Sequence, residues 1–339
     1  MSIKLKEIHI SPGNDEIFHP APLPIDDDEF IISFNMKQQD EILKFFEKHG
    51  VVVIANVLTE PECEHSVDEV WKFLQEMYDP NIDHSKPETW NSYWPMFSHI
   101  GILGNERWLY PQACDNRQNS NVYKVFCTLF RDHELITNVT RAGLMRPTKN
   151  VYFPSLDKTE DRDNWKTKSD WLHLDMNPLA GRTTTYGFEH VAEDPFKGSK
   201  NPLSAQDLPR NNGMRVRRLQ AILALVDCRE QDGGFHAVSG FQYYIVTWTK
   251  QNEKVCLRSN DSGDPTTVQI PRDDPIREHI QRMPIREGSL LVWDTRLPHG
   301  NYPNNSNQMR IIQYLHMAPV ADEALPEKFQ LTELGEKLS

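Results

Sequence analysis

The sequence predicts a mainly β fold, a β-sandwich or jelly roll, with an α-helical region ahead of it. Two observations carry that expectation. Beyond about Asn150, short apolar runs rich in β-branched residues alternate with polar turns. Before it, apolar residues recur at helical spacing.

In chain order, residues 1–37 are rich in Pro and Asp and read as an irregular leader. From Gln38 to His49, Ile42, Leu43, Phe45 and Phe46 recur at helical spacing, with Gly50 as a C-terminal stop. VVVIANV (51–57) reads as a buried strand. Thr59 and Glu62 make a T-x-x-E capping pattern that opens a helix from Pro61 to Met77. Residues 79–115 read as a long loop, and Asn121–Arg131 and Glu134–Asn138 as helices. The strands expected after that are 151–154, 170–175, 218–227, 235–240, a run near Val268–Ile270, 289–294 and 309–317. The expected organisation is one catalytic domain. A helical region (38–149) packs on a β core (150–320) that carries insertions at 179–217 and 250–284, and 321–339 is a tail.

Composition excludes several classes. With 38% hydrophobic and 10% aromatic residues, eight of them Trp, the chain can bury a core. The net charge of -12 argues against a nucleic-acid or anionic-membrane partner. Five cysteines without a C-x-x-C pair suit reduced thiols, not a disulfide frame or a zinc ribbon. No apolar leader and no run of eighteen apolar residues occurs, so the expected location is cytoplasmic and no membrane partner is expected.

The chemistry is carried by SDWLHLDMNP and LLVWDTRLPHG. His173 and Asp175 leave a strand on one face, so both can reach one metal. With His299 they make two imidazoles and one carboxylate, the facial ligand set of non-haem Fe(II) oxygenases. H-x-D alone is weak, because a structural His–Asp pair has the same spelling. The second half strengthens it: His299 and Arg310 flank the turn-rich NYPNNSNQ. A hairpin symmetric about Asn304–Asn305 would set them opposite each other, with Cβ atoms about 5 Å apart. Arg310 shares a face with Ile312 and Tyr314, so it is expected to point inward, where it needs an anion. Its planar fork suits a carboxylate, and a keto diacid could bridge it to the metal. A rim arginine paired with an acidic neighbour is the other reading.

These residues resemble the phytanoyl-CoA dioxygenase-like (PhyH) family of Fe(II)/2-oxoglutarate oxygenases. The match comprises H-x-D at 173–175, His299 and an Arg eleven residues later. REQDGGFHAVSGFQ (229–242) is similar to the family's turn and strand, and FFEKHGVVVIANVLTEPE to its helix–strand–helix start. The resemblance implies a double-stranded β-helix (jelly roll, cupin-like) core flanked by helices. It also implies Fe(II) as metal, 2-oxoglutarate as co-substrate, ascorbate as an optional reductant, and release of succinate and CO2. The expected reaction is hydroxylation of a small-molecule substrate, and a carboxylate ligand at Asp175 disfavours halogenation. The family's Pro-Gly-Ser-His is replaced by Ser239-Gly240-Phe241-Gln242, so acyl-CoA is not implied. The alternatives are a non-catalytic jelly-roll binding protein and a metal-dependent isomerase or hydrolase.

Around this centre, Trp171 reads as a keto-acid lining or a core Trp, and Gln220 as a 2-oxoglutarate contact or a strand-edge residue. Asp294 reads as an outer partner of a ligand imidazole or a turn residue. The aromatic loop 89–99 (Trp90, Tyr93, Trp94, Phe97) reads as a lid or as packing, and Arg215, Arg217 and Arg218 as an anion rim or a solvated strand end. His190, His236 and His316 read as structural histidines.

Overall fold

In the computed structural model, the described residues are 17–91, 98–103, 108–137, 140–168, 170–175, 177–178, 219–261 and 267–319. Most of loop 89–99, the cluster Arg215–Arg218, His190 and the 179–217 insertion lie outside them. The elements run β1 (Ser33–Phe34), α1 (Gln39–His49), β2 (Val51–Ile54), α2 (Glu60–Met77), α3 (Pro111–Gln118), α4 (Ser120–Phe130), β3 (Leu135–Thr137) and β4 (Ala142–Met145). They continue β5 (Val151–Phe153), β6 (Lys158–Glu160), β7 (His173–Leu174), β8 (Leu219–Ala224), β9 (Gly234–Ala237), α5 (Ile245–Gln251), α6 (Glu253–Asp261), β10 (Val268–Gln269) and β11 (Gln281–Arg282). The last three are β12 (Leu290–Asp294), β13 (His299–Tyr302) and β14 (Arg310–Pro319).

The helix signals act as their chemistry requires. α1 buries Ile42 and Phe46 and ends at Gly50, whose φ of 70° is left-handed and whose N–H donates to Phe46 O. A Cβ at Gly50 would also lie 2.6 Å from Gln242 Oε1, so glycine is needed there for space as well as conformation. At the start of α2, the Glu62 carboxylate accepts from the Thr59 N–H at 2.7 Å, closing a capping box.

The strands form a larger sheet ordered β1-β2-β12-β8-β14-β3, with β4 also on β14, and a five-stranded sheet ordered β10-β7-β13-β9-β11. The larger sheet has two apolar faces. Val52, Ile54, Leu223, Val292 and Leu315 pack with Ile42, Phe73, Leu74 and Phe126 on the helix side. Val51, Val53, Ile222, Leu291 and Ile312 pack with Leu172, Leu174, Phe235 and Ala237 of the smaller sheet. The period-2 alternation of each strand thus divides its side chains between helices and the second sheet.

Four local expectations change. The stretch read as a loop over 79–115 ends in helix α3 (Pro111–Gln118), opened by Pro111 in its first turn. Glu134–Asn138 supplies strand β3 instead of a helix, pairing Leu135 with Pro319 and Thr137 with Met317. Five residues are too few to sustain a helix, and the β-branched Ile136 and Thr137 complete the ladder of β14. The strand at 151–154 joins only β6, in a two-stranded sheet apart from the other two. The symmetric hairpin does not form: β13 pairs with β9 and β7, while β14 pairs with β8, β4 and β3. The connection 303–309 crosses between two sheets, which stand about 10 Å apart when packed face to face. Buried Asn304 holds it, accepting from Ser306 N at 2.8 Å and donating to Gln308 O at 2.6 Å.

Candidate active site

β7 and β13 are neighbours in the smaller sheet, and their register sets His173 directly opposite His299. Asp175 follows two residues after His173, on the same face, as the spacing requires. His173 Nε2 lies 3.0 Å from Asp175 Oδ1 and His299 Nε2 lies 3.3 Å from Asp175 Oδ2. Among the described residues, these three offer ligand atoms that all lie within 4.8 Å of one another.

The tautomers follow from the other ring nitrogens. His173 Nδ1 is 3.2 Å from Trp171 O and His299 Nδ1 is 2.9 Å from Leu297 O. A carbonyl oxygen only accepts, so each Nδ1 carries the proton and each Nε2 presents a lone pair inward. Without a metal, burial alone would raise the Asp175 carboxyl, but protonated His299 and His173, charged and donating from Nε2, hold it well below the usual carboxylate range; a bound metal would take the place of those two Nε2 protons. Two imidazole lone pairs and a carboxylate thus converge on one point. With metal–ligand bonds of about 2.1 Å, adjacent ligands of an octahedral ion stand about 3 Å apart, close to both His–Asp separations. The residues fit a divalent metal.

A cavity of about 690 Å³ opens beside this cluster, lined on the ligand side by Trp171, Phe235 and Trp293. Trp171 stacks on His173 with ring centroids 4.2 Å apart, and Trp293 lies 5.3 Å from His299. Gln220 also reaches the cavity. Its Nε2 donates to Asp175 Oδ2 at 2.8 Å, and its buried Oε1 has no hydrogen-bond partner. Asp294 closes a turn with Arg296, through contacts of 2.8 and 2.6 Å, while Leu297 O orients His299.

Arg310 is 1% exposed, and its Nη1 has no hydrogen-bond partner. It lies against Gly234, where a Cβ would come within 2.6 Å of Arg310 Nε and where φ is +130°. Only glycine gives the guanidinium that room. On β9 and β13, Gly234 is level with Tyr302, while His299 is level with Ala237. Three residues of strand therefore separate Arg310's level from the ligand cluster, about 10 Å. A buried guanidinium with Nη1 unpaired at that range could meet one end of a dicarboxylate whose other end meets the metal.

The sequence model of the family described as phytanoyl-CoA dioxygenase (PhyH) matches residues 147–312. The chain is similar to the PhyH family of Fe(II)/2-oxoglutarate oxygenases. A curated Dictyostelium discoideum protein described as "Putative phytanoyl-CoA dioxygenase" is 26% identical over 331 residues, covering 91% of this chain and 88% of that one. Two solved structures share the fold. One is the "Putative Oxidoreductase from Salmonella typhimurium LT2", with TM-score 0.55 and 13% identity over 86% of this chain and 74% of that one. The other is the GlcNAc Inducible Gene 2 product of Candida albicans, with TM-score 0.53 and 14% identity over 85% of this chain. This chain spans 66% of the Candida protein, just under two thirds of its length. The PhyH-like match and the His–Asp–His cluster together support a 2-oxoglutarate-dependent non-haem iron enzyme.

Sequence reasoning missed Thr140, Arg141 and Asn301, which line the cavity together with Tyr314 and His316. Arg141 precedes β4, a strand too short and glycine-containing to give a β signal. His316 was read as structural, yet its even spacing from Arg310 on one strand already put it on the same face. Trp90 is 5% exposed and packs 5.5 Å from Trp71 and 5.8 Å from Trp165, so this part of the aromatic loop is core.

Proposed function

We propose that this PhyH-like chain is a dioxygenase that hydroxylates a small molecule, with His173, Asp175 and His299 as iron ligands and Arg310 as the anchor for the C5 carboxylate of 2-oxoglutarate. The observation that carries the reading is the convergence of two Nε2 lone pairs and one carboxylate at 3.0 and 3.3 Å, each imidazole fixed by a carbonyl behind it. The bound iron and keto acid supply the oxidising power when O2 reacts.

The chain's own residues bind, orient and shield. Trp171 covers His173, and Trp293 and Phe235 give the ligand side of the cavity apolar walls that keep water from the reacting centre. Gln220 fixes the Asp175 carboxylate, leaving the latter's remaining lone pairs for the metal. Asp175 fills the ligand position that a halide would need, which favours hydroxylation over halogenation. The two-sheet arrangement supports a double-stranded β-helix (jelly-roll) core, with the site between the sheets. No helix among the described residues is long and apolar enough to cross a membrane, which suits the cytoplasmic location proposed here.

The test is anaerobic addition of Fe(II) and then 2-oxoglutarate. A visible metal-to-ligand charge-transfer band is expected, followed in air by succinate. Metal binding without that band, or turnover that needs no O2, would point to an isomerase or hydrolase instead.

A further inference from the structure

We infer that Tyr314, oriented by Asn301, is a co-substrate contact whose phenol hydroxyl donates to the C5 carboxylate of 2-oxoglutarate in addition to Arg310. This inference rests on the oxygenase reading and adds to that site a residue that tells a keto diacid from a keto monoacid.

The placement follows from register. On β13, Asn301 comes two residues after His299 and so shares its inward face. It is level with Phe235, and the next residue, Tyr302, is level with Gly234, against which Arg310 lies. Asn301 therefore stands between the ligand cluster and Arg310, about 3 Å along the strand from the arginine's level and about 7 Å from that of His299. Tyr314 reaches the same place from the other sheet. It shares the face of Arg310 and Ile312 on β14, packs with the residues between the two sheets, and brings its hydroxyl to 3.3 Å from Asn301 Nδ2. Both side chains line the cavity. A dicarboxylate that joins the metal to Arg310 therefore passes the Tyr314 hydroxyl.

The hydrogen bonds decide which atom the phenol offers. Asn301 Nδ2 also lies 3.3 Å from Ile100 O, and a carbonyl oxygen only accepts, so the amide nitrogen is on that side. That nitrogen has two hydrogens, one for Ile100 O and one for the Tyr314 oxygen. Having accepted there, the hydroxyl keeps its own hydrogen, which meets no acceptor among the described residues. Asn301 is thus a positioning residue: by occupying a lone pair of the phenol, it turns the hydrogen toward the co-substrate. The main chain of Tyr314 is held as well. Its N–H donates to Arg141 O at 3.0 Å, its carbonyl accepts from Thr140 Oγ1, and it is in register with Ile222 on β8. A phenol fixed in advance loses little freedom when a ligand binds. The keto oxygen and C1 carboxylate belong to the metal end, so the C5 carboxylate is the acceptor nearest this level. Arg310 supplies the opposite charge, and the neutral hydroxyl adds a directed hydrogen bond to an ionised acceptor.

Calorimetric titration of 2-oxoglutarate and of 2-oxopentanoate into the anaerobic Fe(II)-loaded protein tests this. The two keto acids share the metal-binding end and the chain length, and only the first has a C5 carboxylate. Tyr314→Phe should weaken 2-oxoglutarate by roughly 10- to 100-fold, the range of a hydrogen bond to a charged group. Its affinities for Fe(II) and for 2-oxopentanoate should stay at the wild-type values, which also shows that the pocket still folds. Asn301→Ala should cause a smaller loss of the same kind, because the phenol keeps its hydrogen and loses only its direction. Wild-type 2-oxoglutarate affinity in Tyr314→Phe overturns the contact. An equal loss for both keto acids overturns it too, by making the phenol a packing residue, and Asn301→Ala without any selective loss overturns the orienting role. A wild type that binds neither keto acid overturns the oxygenase reading together with this inference, whereas tight 2-oxoglutarate binding by wild type and Tyr314→Phe alike overturns the inference alone.

Discussion

Two buried polar residues three positions apart on β14 face opposite sides of the larger sheet, and they are treated in opposite ways. Gln313, on the helix side, is 0% exposed and fully engaged. Its Nε2 donates to Ala113 O at 2.9 Å, and its Oε1 accepts from Asn116 Nδ2 at 2.8 Å. Asn116 Nδ2 in turn donates to Ser66 Oγ at 2.9 Å. Arg310, on the side of the second sheet, is equally buried, yet its Nη1 has no partner. A buried polar group left unpaired costs about 1–3 kcal/mol, and more when it is charged. The satisfied glutamine is therefore a structural tie between β14 and the helices, whereas the arginine, with Nη1 unpaired, is the group proposed above as the anchor of the co-substrate. Gln220 lies between these cases, with one amide end bonded to Asp175 and the other unpartnered beside the cavity.

The contrast breaks most sharply at the ligand cluster. Asp175→Ala is expected to abolish both the charge-transfer band and succinate formation while leaving the melting temperature within a few degrees of wild type. Isothermal titration of Fe(II) and a thermal melt check both halves. Retained turnover would remove Asp175 from the metal. Unfolding would make the ligand-side polar cluster structural and erase the distinction.

The next largest effect should come at Arg310. Truncating one partner of a buried charged pair typically costs about 2–5 kcal/mol of binding. Arg310→Ala should weaken 2-oxoglutarate binding by roughly that amount, and Arg310→Lys by less, because lysine keeps the charge and loses the fork. Fe(II) affinity should be nearly unchanged in both. Titration of 2-oxoglutarate into the Fe(II)-loaded variants reads this, and wild-type affinity in Arg310→Ala would send the C5 carboxylate elsewhere.

Gln313→Leu supplies the converse. It removes the hydrogen bonds from Asn116 Nδ2 and to Ala113 O, while Asn116 Nδ2 keeps Ser66 Oγ and Ala113 O keeps Arg117 Nη1, so it should cost about 0.5–1.5 kcal/mol of folding stability per bond lost. Denaturant unfolding would show this loss, while the affinity for 2-oxoglutarate should stay at the wild-type value. A variant with intact stability and impaired co-substrate binding would reverse the assignment of the two faces.

Gln220→Leu should give the smallest change. Residues that orient metal ligands typically contribute 10- to 100-fold to metal affinity. A loss near the lower end, about tenfold in Fe(II) affinity, is expected because the two imidazoles remain fixed by their carbonyl partners. No change in metal affinity, with weaker 2-oxoglutarate binding, would make Gln220 a co-substrate contact instead.

How much of this was legible in the sequence varies with the range of the interaction that decides it. The capping box at Thr59, the stop at Gly50 and the alternation of β8, β12 and β14 rest on neighbours within a few residues, and each formed where the pattern placed it. H-x-D put two candidate ligands on one face because strand side chains repeat every two residues. Glu134–Asn138 was misread because its local pattern is ambiguous, and the open ladder of β14 settled it. Arg141 gave no signal, since nothing near it in sequence marks it as facing a cavity.

The sequence by itself determined which residue types are available to hold a metal and which faces of the strands they share. It also put Arg310 on an inward face, because alternation along one strand is a local property of the backbone. It did not determine how β13 meets β14. The symmetric hairpin assumed that a short polar turn joins strands of one sheet, whereas the chain burns its seven intervening residues crossing to a second sheet. That choice depends on ladders far away in sequence: β13 finds β7 and β9, and β14 finds β8 and β4. Arg310 and His299 are thereby brought near each other across the space between sheets instead of along a shared ladder. Only the tertiary structure decided this, because burial of both inner faces is a property of the assembled core and no single segment can carry it.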